Sequence, residues 1–176
     1  MGDAEQLIDA AWQARRDGRH DDAERDLLEA IRIARGAGSK AILVRALGAL
    51  AHVARDLDRN ERALALCEEA VDLSRTTGDA LLLAHAVRHL GDVHRALRRQ
   101  PEAERCYAEA LSLYRGAPTP PALDFANALR PAALLKREAG EVDAARTLWT
   151  EARALYEAAG IKPAVDECSR QLSRLA

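Results

Sequence analysis

The sequence predicts an all-α protein, an α-solenoid of four helix–turn–helix repeats that ends in a capping helix. Composition is the first observation behind this prediction. Hydrophobic residues make up 48% of the 176 residues and aromatic residues only 3%. Alanine and leucine therefore supply most of the apolar side chains, and both favour helices over strands. The second observation is an internal pattern that occurs four times along the chain.

The repeated pattern consists of small and large residues at matching positions. Alanines early in each second helix are spaced by 40, 40 and 42 residues. A larger residue follows four positions later, and another alanine follows seven positions later. Small residues where helices cross allow close approach, and large residues fill the remaining space. The matching sets are Ala23, Ala63, Ala103 and Ala145; Leu27, Cys67, Tyr107 and Trp149; and Ala30, Ala70, Ala110 and Ala152.

Apolar residues recur at helical spacing along the chain, and no stretch alternates for long enough to form a strand. We expect one domain over 1–176, with repeats at 3–38, 39–78, 79–118 and 119–160 and a capping helix at 161–176. The expected helices are 3–17, 21–36, 39–57, 60–77, 79–98, 101–115, 120–139, 141–159 and 162–175.

Capping signals support these boundaries. Ser39 and Asp79 follow glycines that suit the end of the preceding helix, and both are expected to be N-caps. Thr119 is expected to be an N-cap because Pro120, which suits the first helical position, follows it. The last helix carries one apolar stripe backed by charged residues, which is what the terminal element of a stacked array requires. That stripe is Ala164, Val165, Cys168, Leu172 and Leu175.

The pattern resembles the tetratricopeptide repeat family over essentially the whole chain. Gly91, Ala103, Tyr107 and Ala110 match the family's small and large positions in the third copy. Gly18 and Gly140 match its turn glycine, which is replaced by Asp58 and Arg98 in the middle copies. The spacing exceeds the usual 34 residues and resembles the kinesin-light-chain-like branch. The resemblance implies that the first helices line a concave face, which serves protein–protein interaction.

Arginines are concentrated on the expected concave face. The first helices together carry a small positive charge and the second helices a negative one. A column of arginines at one equivalent position suits an extended acidic segment, because guanidinium groups offer several donors to carboxylates. The alternative is that they pair with Asp56, Asp92 and Glu138 on their own helices. The column is Arg15, Arg55, Arg95 and Arg137, and Arg45, Arg88 and Arg130 lie on the same half.

The first helix presents Ile8 and Trp12 one turn apart, outside the stripe expected to pack within the repeat. No earlier helix covers them in this sequence, so Trp12 is a candidate anchor for a partner. The same uncapped repeat is a candidate surface for self-association into a homo-oligomer. The alternative for Trp12 is packing against the next first helix near His52.

His85 and His89 are four residues apart on one helix, and His52 is expected nearby. Such spacing can hold a metal ion. Arg88 stands between the two histidines and would repel a cation, so we predict no metal site and no cofactor, with these histidines as polar groove residues. The remaining expected groove residues are Asp92, Asn127 and Leu134.

Pro131 lies inside the first helix of the fourth repeat. A proline there lacks the N–H that would bond the carbonyl of Asn127 and crowds that carbonyl. We expect a kink near 127–130, or a break into two helices, that opens the groove.

Several function classes are disfavoured. A net charge of −2 argues against nucleic-acid binding, and no apolar run is long enough to cross a membrane. Three isolated cysteines and the polar start favour a reduced, cytoplasmic setting. No catalytic motif is present, so we predict no enzymatic activity. The sequence therefore predicts a module that binds an acidic peptide or protein partner; the alternative is a regulatory domain that senses a peptide or small ligand.

Overall fold

The computed structural model describes residues 2–175, which form nine helices and no strand. Each predicted helix is present within a few residues of its expected bounds. The helices are α1 (Gly2–Arg16), α2 (His20–Gly36), α3 (Lys40–Asp56), α4 (Asn60–Arg75), α5 (Ala80–Ala96), α6 (Gln100–Gly116), α7 (Ala122–Glu138), α8 (Val142–Ala158) and α9 (Lys162–Ser173). Within residues 2–175, none of these helices combines the length and the hydropathy needed to span a bilayer.

The helices form a two-layered α-solenoid. Every helix contacts the next one along the chain, and the odd-numbered helices α1, α3, α5 and α7 also contact one another in succession. Among the described residues, the even-numbered helices make no such second contact. The odd-numbered helices therefore form the more closely spaced, concave layer, as the family resemblance implies.

The turn between the two helices of a repeat requires a left-handed backbone. Gly18 and Gly140 occupy this position in the outer repeats, with φ of 76° and 78°. Asp58 and Arg98 adopt φ of 56° and 58° in the middle repeats. A residue with a Cβ atom is strained in this region, so the common turn geometry is kept in the middle repeats at a cost in stability.

The small and large positions of the repeat pattern build the core. The four early alanines of the second helices are completely buried. The larger residues that follow them are 0–1% exposed, and they include the two biggest buried side chains, Trp149 and Tyr107. The close packing predicted from the repeat pattern is confirmed.

Gly91 shows how tight this packing is. A Cβ atom built on Gly91 would lie 2.7 Å from Cε1 of Tyr107, closer than real Cβ contacts come. The ring of Tyr107 therefore packs directly on the α5 backbone. Gly48, in the preceding first helix, is less constrained, because its added Cβ would lie 3.5 Å from the ring of His89.

The three predicted N-caps differ in the structure. Asp79 caps α5, and its carboxylate accepts hydrogen bonds from the backbone N–H groups of Leu81 and Leu82 at 3.0 Å. Ser39 occupies the N-cap position of α3 without a side-chain bond. The prediction of Thr119 as an N-cap is wrong, because α7 begins at Ala122 after Pro121. A residue before a proline is disfavoured in the helical region, so Pro120 cannot open the helix ahead of Pro121.

Pro131 does not divide its helix. α7 runs from Ala122 to Glu138 as one element with Pro131 inside it, so the two-helix alternative is wrong. Pro131 is buried. The local kink and its effect on the groove stay predictions.

The last helix closes the C-terminal end of the core. Cys168 is completely buried and Leu175 is 7% exposed, while Ala164, Val165 and Leu172 pack against the same cluster. That cluster contains Trp149 and Tyr156 of α8. The predicted apolar stripe of α9 therefore covers the end of the array.

Deleting residues 162–176 should lower the stability of the whole chain and promote aggregation. The truncation uncovers the α8 side of the core, which then faces water. We expect a melting temperature lower by about 4 °C or more, measured by circular dichroism, together with larger species in size-exclusion chromatography. A truncated chain that stays monomeric with an unchanged melting temperature would contradict the capping role.

Replacing Gly91 by alanine should destabilise the fold by about 1–3 kcal/mol, because the new methyl group forces the ring of Tyr107 to move. Gly48→Ala is the matched control, since its methyl group meets His89 at an ordinary contact distance and alanine favours helix. Urea denaturation of both variants measures the difference. Equal effects of the two substitutions would show that the packing on Gly91 is not restrictive.

Candidate functional site

A cleft of about 520 Å³ lies on the concave layer. Helices α1, α3, α5 and α7 contribute to it, with apolar side chains from α1 and α5 and charged side chains around them. Ile8, Trp12, Arg45 and His85 were expected in the groove and do line this cleft. The lining residues are Ile8, Trp12, Ala41, Arg45, Asp79, Leu81, Leu82, His85 and Asp124.

Trp12 both lines the cleft and packs against His52. Its ring packs against His52 with centroids 5.2 Å apart, and the guanidinium of Arg15 lies over it at 5.4 Å. The side chain is only partly buried. Trp12 therefore forms one wall of the cleft while it is held by its neighbours. Ile8 is 1% exposed and contributes to the floor rather than to an exposed anchor.

The predicted self-association surface is polar. The exposed residues of α1 include Gln6, Asp9 and Gln13. These polar residues give no support to self-association through this helix, which stays a prediction.

A buried polar network on α5 adjoins the cleft through His89, which contacts the cleft residue His85. Arg88 donates to Oδ2 of Asp92 at 3.1 Å and approaches Nε2 of His89 at 2.7 Å. The hydroxyl of Tyr107 donates to the other carboxylate oxygen of Asp92 at 2.9 Å. Because arginine only donates, Nε2 of His89 must be the acceptor and its proton lies on Nδ1. That buried Nδ1 has no hydrogen-bond partner among residues 2–175.

Three histidines are packed together above this network. His89 lies between His52 and His85, with ring centroids 4.4 Å from each. Burial, and after it the charge of Arg88, lowers the pKa of His89 and of His52 well below the usual value. The same causes lower the pKa of His85 to about 3. The histidines are therefore neutral near pH 7.

The residues fit a metal ion poorly. Ligand atoms of His52, His89 and Asp92 lie within 4.8 Å of one another. Arg88, however, bonds two of these three residues and places a fixed positive charge among them. A cation would have to displace that guanidinium, so the geometry gives no support to a metal site here.

The arginine column divides into engaged and unengaged members. Arg15 makes a two-bond contact with Asp56 of α3, with distances of 2.6 and 3.0 Å. Arg55 and Arg95 are half-buried, and their Nε atoms are buried with no hydrogen-bond partner in residues 2–175. The position in α5 that corresponds to Asp56 is Ala96, so Arg55 lacks the carboxylate that Arg15 finds. Within residues 2–175, no column arginine pairs with Asp56, Asp92 or Glu138 on its own helix, so the alternative of pairing within each helix is wrong.

The remaining candidate residues are held by other elements. Arg45 pairs with Glu5 at 3.4 Å and Arg130 with Glu167 at 3.3 Å. Arg137 donates to Gln171 of α9 at 2.6 Å, so the capping helix occupies the two basic residues of α7 that were expected to contact a ligand. Asn127 Oδ1 accepts from the hydroxyl of Tyr156 at 2.8 Å, and Leu134 packs against the C-terminal core.

The sequence did not reveal two parts of the site. Tyr107 was predicted only as a large packing residue, yet its hydroxyl orients Asp92. The one sequence signal for this role is that Tyr107 carries a hydroxyl, whereas the matching residues Leu27, Cys67 and Trp149 do not. Asp79 and Asp124 were not expected at the cleft, since both lie at the starts of their helices.

Acid should destabilise the protein before its carboxylates titrate. The unfolded chain binds protons on these histidines near pH 6.5, whereas the folded chain keeps them neutral, so the free energy of unfolding should fall as pH drops from 7 to 5. Each histidine contributes up to about 1.4 kcal/mol per pH unit. Urea denaturation at several pH values, with wild type and His85→Gln, measures the slope. The slope of the variant should be smaller by the contribution of one histidine, up to about 1.4 kcal/mol per pH unit. An unchanged slope would contradict the neutral histidine cluster.

Comparisons with known proteins agree with this architecture. The family model described as tetratricopeptide repeat matches residues 42–116, and a model for anaphase-promoting complex subunit 5 matches residues 6–56. No curated protein sequence matches the chain.

Among solved structures, BtubC (BKLC) from P. vanneervenii has 21% identity and a TM-score of 0.71, covering 97% of this chain and 78% of its own. The kinesin light chain TPR-like repeats from Podosopora anserina have 14% identity and a TM-score of 0.67, covering 97% and 93%. A Rap protein complexed with Competence and Sporulation Factor has 17% identity and a TM-score of 0.78, covering 98% and 53%. Residues 42–116 are thus similar to tetratricopeptide repeats, and the chain shares the helical-repeat fold of the kinesin light chain TPR-like repeats.

Proposed function

We propose that this protein is an interaction module that binds an acidic peptide segment on its concave face. The observation that carries the proposal is the pair Arg55 and Arg95. Both guanidinium groups are half-buried, and in the described chain neither Nε atom has a hydrogen-bond partner. Partly buried cations without a carboxylate are costly unless a ligand supplies one.

The electrostatic surroundings favour an anion. The charges of Arg88, Arg55 and Arg15 all act, after burial, to lower the pKa of His52, so three guanidinium groups lie close enough to affect one side chain. Positive charge in a partly desolvated groove attracts carboxylates more strongly than it would in open water. Arginine also binds carboxylates with two parallel hydrogen bonds. These features support an acidic ligand over a basic or neutral one.

The cleft suggests how such a segment is oriented. Ile8, Trp12 and Leu82 give it apolar walls, while Asp79 and Asp124 at its edge oppose further negative charge. An apolar side chain of the ligand therefore fits the cleft, and its acidic residues extend toward Arg55 and Arg95. Aromatic side chains in such positions often supply much of the binding energy.

A second candidate function is a regulatory domain that senses a peptide or small ligand. The Rap structure that shares this fold is complexed with a factor, and the cleft volume lies in the usual range for ligand sites. The match covers 53% of that Rap protein.

Binding of a short fluorescent peptide of glutamates with one central leucine tests the first proposal. The double variant Arg55→Gln with Arg95→Gln should weaken binding by about tenfold or more, because two charge-assisted contacts are lost. Binding to wild type should also weaken as salt is raised. Fluorescence anisotropy measures both effects.

The matched control is Arg98→Gln with Arg99→Gln, which removes the same charge from exposed positions. It should bind as wild type does. A lysine peptide with the same leucine should not bind. Equal losses in the two double variants would mean that only net charge matters, and unchanged binding in the first would overturn the proposed groove contacts.

A further inference from the structure

A second cleft lies at the junction of the third and fourth repeats, away from the concave site. It measures about 660 Å³ and is formed by α6, α7 and α8. The corresponding cleft one repeat earlier, which Leu90 lines, measures only about 260 Å³. The two repeat junctions are therefore not packed alike.

The extra space coincides with a missing side chain. Ala132 of α7 occupies the register position that holds Leu50 in α3 and Leu90 in α5. Ala132 lines the cleft and is 6% exposed. The connection that enters α7 is also the longest between repeats, residues 117–121, and Ala117 in it has an extended backbone. The leucine that closes this space in the middle repeats is absent here.

The base of the cleft is apolar, and the charged residues at its edge form ion pairs within the protein. Tyr107, Leu111, Ala132 and Leu135 are all at most 7% exposed, and Leu148 lies beside them. The charged residues at the edge already have partners. Lys136 is paired with Glu104 and Glu141, and Arg115 with Glu151 at 2.6 Å.

We infer that this cleft is a binding site for a neutral, mostly apolar small molecule, separate from the peptide-binding groove. Its volume is within the range of small-molecule sites, which are mainly apolar with a few polar groups. A charged ligand would have to break an existing ion pair at the edge, whereas a neutral one gains from covering the apolar lining that is still open to water, such as Leu148. The hydroxyls of Ser112 and Thr147, which also line the cleft, suit a ligand with one polar end.

Titration of the full chain with Nile red, a neutral apolar dye whose fluorescence responds to burial, tests this site. Wild type should show saturable binding with one site per chain. Ala132→Leu restores the leucine of the other repeats and should weaken dye binding by about tenfold or more, because it fills the base of the cleft. It should also raise the melting temperature, since unfilled apolar volume is destabilising.

Ala10→Leu is the matched control, because Ala10 holds the same register position in α1 and is exposed. It should leave dye binding unchanged. Ala108→Trp provides a second block from an exposed position at the edge, and it keeps the test valid if Ala132→Leu does not fold. Either blocking variant should weaken the same saturable dye binding.

The glutamate peptide should not displace the dye, which separates this site from the concave groove. Displacement would place the dye in the groove and overturn the inference. Unsaturable dye binding, or equal binding by wild type and both blocking variants, would also overturn it.

Discussion

Close contact between small residues on one helix and large residues on the next is the constraint on which this structure depends. Completely buried alanines at four equivalent positions fix how near the helices of each repeat approach. Gly91 is the extreme case, where even one methyl group would collide with Tyr107. Because the ring of Tyr107 packs directly on the α5 backbone, its hydroxyl is held in place as well. That hydroxyl in turn holds the carboxylate of Asp92.

The fold could be predicted from the sequence because its signal is repeated. Helix bounds, left-handed turns and the apolar stripe of the capping helix each rest on local patterns that the tertiary structure does not override. Pro120 and Pro121 are an instructive failure. A threonine before a proline is a good helix start in isolation, but a second proline excludes the first from helical geometry.

The candidate site was predicted less well, since side-chain partners depend on which helices become neighbours. The arginines of the column occupy one position of the repeat pattern, yet they have three different environments. Arg15 finds Asp56 across the layer, Arg137 is taken by the capping helix, and Arg55 faces Ala96 where a carboxylate would be needed. A periodic pattern gives equivalent positions, and the residues that break the period decide which of those positions remain open to a ligand.

Every helix of the array contacts only helices within two places of it along the chain. Contacts between residues close in sequence form without closing long loops, so such chains have a low contact order and fold quickly. Nearest-neighbour coupling also allows folding to start in any repeat and spread to the next. The middle repeats, which have neighbours on both sides, should be the last to exchange their amide protons.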